Sequence, residues 1–155
     1  MQTPQFGLLD HRFLARSIGM LDPHTPLLLP QETKISDAII LLQQHKIGCV
    51  VLTDVMGKIT GIFTERDLLI KVALKSIHPS KAPVSMVMTP DPQTAHMTTT
   101  VAFALNMMSH GGYRHLPIVD DENYPIGIIS VKDIVDFLAQ AVTQDLTAFG
   151  MAGSD

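Results

Sequence analysis

Cysteine is almost absent from this chain: Cys49 stands alone among 155 residues. A single thiol excludes an internal disulfide framework and a thiolate-based zinc cluster, and a reduced cytoplasmic setting is expected. Tryptophan is missing, and six Phe with two Tyr are the only aromatic residues, a poor platform for stacking single-stranded nucleic acid. Charge is also scarce. Charged residues make up 17%, the net charge is −4 and the pI is about 5.9, so nucleic acid has no general electrostatic reason to bind. A local basic patch around a small anion stays open. No apolar run approaches the roughly 18 residues of a membrane span. Gln2, Asp10 and Arg12 leave no continuous apolar stretch at the N-terminus, so no signal peptide is expected either. The seven histidines are scattered without an HExxH pair, and neither a P-loop nor a GxGxxG stretch occurs, so no metal site is expected.

What is present is enough apolar material for a core. Hydrophobic residues reach 46% and mean hydropathy is +0.24, which excludes a disordered, collagen-like or coiled-coil chain. The length fits one core or two intimate halves, and roughly two-thirds of the unfolded surface can be buried without disulfides or metals. The nine Met read as core filler.

The most informative feature is an internal repeat. An offset of 66 residues brings Gly61 onto Gly127 and aligns the two halves without a gap. Thr33 then meets Thr99, Ala38 meets Ala104, Asp54 meets Asp120, Thr64 meets Ser130, Arg66 meets Lys132 and Asp67 meets Asp133. Two copies make a duplicated module, not an open solenoid. Each copy reads alike. A Thr leads into an apolar pattern of helical period (Ile35, Ala38, Ile39, Leu42; Val101, Ala104, Leu105, Met108), ended by Gly48 in one copy and Gly111-Gly112 in the other. A short strand follows, Cys49 to Leu52 or Leu116 to Val119, then a hairpin turn with Gly57 or Asp121-Glu122-Asn123. A second strand, Ile59 to Phe63 or Ile126 to Ile129, leads into a second helix, about Glu65 to Lys75 or Val131 to Val142, with Thr64 and Ser130 as N-caps.

The expected fold class is therefore α+β: two tandem α-β-β-α repeats related by pseudo-twofold symmetry, with an N-terminal helical extension. Two such units must share a core, since a lone hairpin is marginal. The expected boundaries are an extension over 1–30, a first repeat over 31–75, a linker over 76–93, a second repeat over 94–144 and a tail over 145–155. Asp10 to Leu21 reads as an amphipathic helix through Phe13, Leu14, Ile18 and Leu21, packing on the module or docking a partner. Pro23, Pro26 and Pro30 make an extended lead-in. The linker from Ser76 to Gln93, rich in Pro, is expected to run over the surface, and the tail after Ala148 to fray.

The repeated heptapeptide, Gly61 to Asp67 and Gly127 to Asp133, carries the candidate chemistry. It is a strand running into a helix N-terminus, where backbone amides and the dipole favour an anion. Thr64 or Ser130 at the cap and Arg66 or Lys132 two residues later add donors suited to phosphate. Asp67 and Asp133 offer a carboxylate that can accept from a ribose diol. The alternative is an ordinary capping box with an acidic residue at its third position. The second copy adds Gly111-Gly112-Tyr113-Arg114-His115-Leu116-Pro117, two basic side chains at a strand start, for which the alternative is a solvated strand end. The first copy has Ile47-Gly48-Cys49 at the aligned places, small and uncharged. Ser130 near His115 lacks a third partner, so a nucleophilic triad is poorly supported.

The duplicated unit ending in Gly-apolar-x-(Thr/Ser)-x-x-Asp resembles the tandem CBS domain pair, the Bateman module. Val87-Met88-Thr89-Pro90 resembles the phrase that precedes a copy in that family, and Gly112 to Asp120 its first core strand. The resemblance covers about Pro30 to Gln144. It implies a regulatory sensor and not an enzyme, with no cofactor required and AMP, ADP, ATP or S-adenosylmethionine as ligand. It implies two clefts, each joining the Asp-bearing motif of one copy to the helix lead-in and first strand of the other. One cleft takes Asp133 and Ser130 with Thr33, Ile47, Gly48 and Cys49; the other takes Asp67 and Thr64 with Thr99 and Tyr113. Arg114, His115, Arg66 and Lys132 would face phosphates. A homodimer and a separate regulated protein are implied as partners, with neither nucleic acid nor membrane. A ligand-free dimerisation or scaffold module is the rival expectation. The two clefts are expected to be unequal, the Asp133 cleft binding more tightly.

Overall fold

The computed structural model of the chain describes residues 11–148. In chain order it holds α1 (His11–Leu14), β1 (Leu28–Pro30), α2 (Ile35–His45), β2 (Cys49–Thr53) and β3 (Ile59–Thr64). These are followed by α3 (Glu65–Asp67), β4 (Thr89–Pro90), α4 (Val101–Gly111), β5 (His115–Val119), β6 (Pro125–Ser130) and α5 (Val131–Ala148). The class is α+β. Asp10 and the tail after Ala148 lie outside the described residues. The described residues divide into two compact units, one of residues 11–23, 95–116 and 129–148, the other of residues 24–94 and 117–128.

The second unit is organised by β2. Its five residues are all buried, an apolar run from Cys49 to Leu52 closed by the polar Thr53. Alternation sends Val50 and Leu52 to one face and Val51 to the other. Val50 and Leu52 join Phe63 of β3 and the face of α2 formed by Ile35, Ala38 and Leu42. These three positions, three and four residues apart, line one stripe of the helix. Val51 packs with Ile59, Val119 and Ile128. The sheet order is β1-β2-β3-β4, with β1 parallel to β2 and the other pairs antiparallel.

Two expectations change here. The Pro-rich segment is not a surface excursion: Val84 and Val87 are buried within the core cluster, in and beside a 3-10 turn, Val84–Met86. Its backbone also binds the start of α2, through Ile35 N to Ala82 O and Val84 N to Thr33 O (2.7 Å). The second helix of this copy is wound differently from its counterpart. After the single turn of α3, Leu68–Ala73 forms a π-helical stretch, whereas the second copy continues as regular α-helix through α5. At Gly61 an added Cβ would meet the Met88 side chain of the passing segment and sit 3.2 Å from Thr89 O, so a larger residue there requires the flexible Met88 side chain to shift.

The first unit holds α1, α4 and α5. Phe13, Ile18, Val101, Ala104, Met108, Leu116, Ile129 and Ile134 are buried, and the Phe13 and Phe137 rings stack at 5.6 Å. The expected helix over Asp10–Leu21 is broken. α1 stops at Leu14, Ser17 is extended, and Ile18–Leu21 is a 3-10 turn. The reason is competition for backbone groups. Ile18 N donates to Thr99 O (2.8 Å), Val101 N to Arg16 O (2.8 Å) and Gly19 N to Met97 O (3.0 Å), so these groups leave the i to i−4 ladder. Gly19 permits the approach, since a Cβ there would sit 2.9 Å from Met97 O.

The duplication is visible in the turns. In one hairpin, Asp54 Oδ1 accepts from Met56 N (2.8 Å) and Lys58 N (3.0 Å). In the other, Asp120 Oδ1 accepts from Glu122 N (3.0 Å) and Tyr124 N (2.9 Å). Gly57 (φ 81) and Asn123 (φ 70), also 66 apart, both take the left-handed conformation the turn requires. The first helices also close alike, at Lys46 (φ 52) and Gly112 (φ 67), although only one is a glycine.

Candidate functional site

Each copy holds its Asp-bearing motif at the junction of its second strand and second helix. In the first copy Thr64 ends β3 with extended backbone and caps α3. Asp67 Oδ2 accepts from Thr64 N and from Thr64 Oγ1, both at 2.9 Å, while Asp67 N donates to Thr64 Oγ1 at 3.3 Å. The second copy repeats this closely. Asp133 Oδ2 accepts from Ser130 N and Ser130 Oγ, both at 2.7 Å, and Asp133 N donates to Ser130 Oγ at 3.2 Å. The capping box is therefore realised twice.

That geometry revises the expectation of free amides at these helix starts. The first helical amide is also taken: Glu65 N donates to Gly48 O and Val131 N to Arg114 O, each at 3.1 Å. The cap, first and third amides of both motifs thus have internal acceptors, which weakens the anion cradle that a bare helix N-terminus offers. The same two bonds seat Gly48 beside the Thr64 motif and Arg114 beside the Ser130 motif.

The expected site residues divide cleanly. Thr33, Ile47, Gly48, Cys49, Thr64, Arg66 and Asp67 belong to the second unit, and Thr99, Tyr113, Arg114, His115, Ser130, Lys132 and Asp133 to the first. Asp67 is 7% exposed; Asp133, Thr64 and Ser130 are half-buried, and Arg66, Arg114 and Lys132 are exposed. Lys132 forms an ion pair with Asp136 one turn on, and that hydrogen bond raises its pKa. Thr99 Oγ1 accepts from His96 N (3.0 Å), while Thr100, not Thr99, caps α4 by accepting from Phe103 N (3.2 Å). In the first copy Lys34 stands at the equivalent cap with no side-chain bond.

Tyr113 lies against Gly111, whose missing Cβ makes room for the ring, and burial raises its phenol pKa. Burial, with the Glu65 carboxylate as a lesser contribution, pushes the Cys49 thiol up to about 12. Cys49 is therefore a buried, neutral thiol and not a nucleophile. The Ser130 hydroxyl donates its proton to Asp133. Among the described residues no group of three His, Cys, Asp or Glu is placed to hold a metal ion, and no helix is long and apolar enough to cross a membrane.

One participant was missed from sequence. Lys71 Nζ lies 2.7 Å from Asp67 Oδ1 and also donates to Met88 O (3.2 Å) and Thr89 Oγ1 (3.3 Å). The signal was available: an acid and a base four apart on one helix face each other. At the aligned place of the second copy stands Phe137, stacked on Phe13.

A family model described as "CBS domain" matches residues 16–74 and 84–140. The chain is 32% identical over 130 residues to an uncharacterized 17.7 kDa protein of Acidianus ambivalens, covering 84% of this chain and 77% of that protein. Two longer curated relatives, the meiotically up-regulated gene 70 protein of Schizosaccharomyces pombe and the CBS domain-containing protein CBSCBSPB1 of Arabidopsis thaliana, are each 28% identical. These matches cover 84% and 85% of this chain, which spans only 18% and 25% of the two relatives. Among solved structures, the CBS domain pair of protein MJ0100 in complex with 5′-methylthioadenosine and S-adenosyl-L-methionine gives a TM-score of 0.72. That comparison runs at 25% identity and covers 80% of this chain and 96% of that one. The CBS-domain containing protein ATU1752 of Agrobacterium tumefaciens gives 0.72 at 31% identity, covering 79% and 98%.

Proposed function

The chain belongs to the CBS domain family, with two CBS domains in tandem, and from that premise we propose that it is a regulatory module that binds an adenosyl ligand. The observation that carries this reading is the duplicated motif itself. Twice, at matched positions, a carboxylate is fixed by its own cap hydroxyl and amide, pre-set to receive donors from a ribose. The bound 5′-methylthioadenosine and S-adenosylmethionine of the MJ0100 pair support the same class of ligand, with AMP, ADP and ATP as the other candidates. Small residues around Cys49 and Gly48 suit a flat base; Arg66, Arg114, His115 and Lys132 suit a phosphate or a carboxylate. Thr33, Ile47, Thr99 and Tyr113 complete the set. The module acts in the cytoplasm, through its own dimer or a separate protein, and carries out no chemistry on the ligand.

A ligand-free dimerisation or scaffold role is the second reading, and one observation favours it. Large apolar side chains are exposed in each unit, Leu69 and Ile70 with Leu74 just beyond their helix in one and Phe103, Val135 and Val142 on helices in the other, surfaces suited to another protein. A thermal-shift panel with AMP, ADP, ATP and S-adenosylmethionine separates the two. A ligand at about 100 times its Kd stabilises by roughly 2.7 kcal/mol, a shift of about 5–10 °C for a chain of this size. No shift with any of the four at millimolar concentration leaves the scaffold reading standing.

A further inference from the structure

We infer that Lys71 governs how the first copy treats a ribose: it occupies one oxygen of Asp67 and ties that carboxylate to β4, so a diol bound there displaces Lys71 and loosens the Met88–Thr89 segment. This rests on the adenosyl reading above. Asp67 Oδ2 already accepts two hydrogen bonds, from Thr64 N and Thr64 Oγ1, which fill its two lone-pair directions. Oδ1 accepts from Lys71, leaving room for one more donor. A vicinal diol brings two. Full recognition therefore requires Lys71 to withdraw.

The Lys71 ammonium has three protons and three acceptors around it: Asp67 Oδ1, Met88 O and Thr89 Oγ1. Withdrawal from Asp67 moves the same group that holds the two β4-side acceptors. β4 is only two residues long, pairing Thr89 with Ile62 and Pro90 with Gly61, so one side-chain tether is a sizeable part of what holds it. The lysine sits within the π-wound stretch Leu68–Ala73, a winding that recurs at functional positions. At the aligned position of the second copy, four residues beyond Asp133, Phe137 packs on Phe13, so no lysine stands there. The Lys71 contact is thus particular to the first copy.

The experiment has a ligand-free arm and a ligand arm, on the full chain. Amide hydrogen exchange of Lys71→Met without ligand should rise about tenfold across residues 88–91, which include the Asp91 N to Thr60 O bond, while Lys71→Arg stays near wild type. Unchanged exchange in Lys71→Met overturns the inference. If that variant does not fold, Thr89→Val removes a single tether contact and should raise exchange about threefold; no rise overturns the inference equally. Calorimetric titration then compares AMP with 2′-deoxy-AMP. Lys71→Met should prefer AMP about tenfold more strongly than wild type does at one of the two sites, the worth of a hydrogen bond to a charged group. Wild-type protein that binds AMP, with an unchanged preference in Lys71→Met, sinks the inference alone. Wild-type protein that binds no AMP sinks the adenosyl reading and the diol step with it.

Discussion

Asp67 is a structural carboxylate before it is a binding one, and its removal should show in stability without any ligand. Asp67→Ala deletes two charge-assisted hydrogen bonds from Thr64 (2.9 Å each) and the contact with Lys71 (2.7 Å). The residue is 7% exposed, so water replaces little of what is lost on the Thr64 side. A capping interaction is worth about 1 kcal/mol, and hydrogen bonds to a charged group about 1.5–3 kcal/mol. The Lys71 pair adds little, since that side chain is 30% exposed and solvent screens it. The sum is about 3 kcal/mol, a fall in Tm of roughly 6–12 °C for a chain of this size. Asp67→Asn keeps an oxygen for Thr64 N while losing charge, and should fall about half as far. Urea denaturation followed by far-UV circular dichroism measures both. If Asp67→Ala lies within 0.5 kcal/mol (about the scatter of ordinary surface substitutions) of wild type, the capping box is not holding the motif and the argument fails. The result bears on binding too: a loss of ligand in Asp67→Ala has to be compared with Asp67→Asn before it is assigned to ribose contact.

The other predictions concern the backbone, the linker and the thiol. Lys46 holds φ 52 at the helix end where Gly112 holds φ 67; the left-handed conformation costs a non-glycine about 1–2 kcal/mol, partly offset by unfolded-state entropy. Lys46→Gly should therefore stabilise by about 0.5–1 kcal/mol and Gly112→Ala destabilise by about 1 kcal/mol, read from paired urea midpoints; the opposite signs would refute the backbone argument. Val84→Ala should cost about 2 kcal/mol because Val84 is fully buried in the core cluster, whereas a surface linker would give almost nothing. Cys49, raised from 9.0 to about 12 by burial, stabilises the fold below pH 9. That contribution is lost as pH rises from about 9 through about 12, because the unfolded chain ionises first. Wild type should lose more stability across that window than Cys49→Val, and the native thiol should resist alkylation at pH 8; equal pH profiles would refute this.

The repeat, the element order and the polar positions of the motif were legible because each rests on local chemistry. Helical period, hairpin turns after Asp54 and Asp120, and hydroxyl caps at Thr64 and Ser130 all act within a few residues, and duplication raised weak patterns above coincidence. Other features depend on neighbours distant in sequence. Apolar spacing gave Phe13, Leu14, Ile18 and Leu21 one face, but Thr99 and Met97 draw the intervening amides away, and a helix loses to a pairing that no local window contains. Proline content marked the linker as surface, yet two valines in it fill a gap beside α2 and β2, and burial is a property of what lies opposite.

The motif shows the same division. Sequence alone determined that each copy carries a hydroxyl and a carboxylate three residues apart at a strand-to-helix junction, since capping needs only that spacing. Only the tertiary structure decided what else holds the Asp67 carboxylate. Lys71 reaches Asp67 along its own helix but is held there by Met88 and Thr89, whereas Phe137 at the matched place turns to Phe13. Spacing sets which groups can meet; packing against a distant segment sets which of them stay occupied.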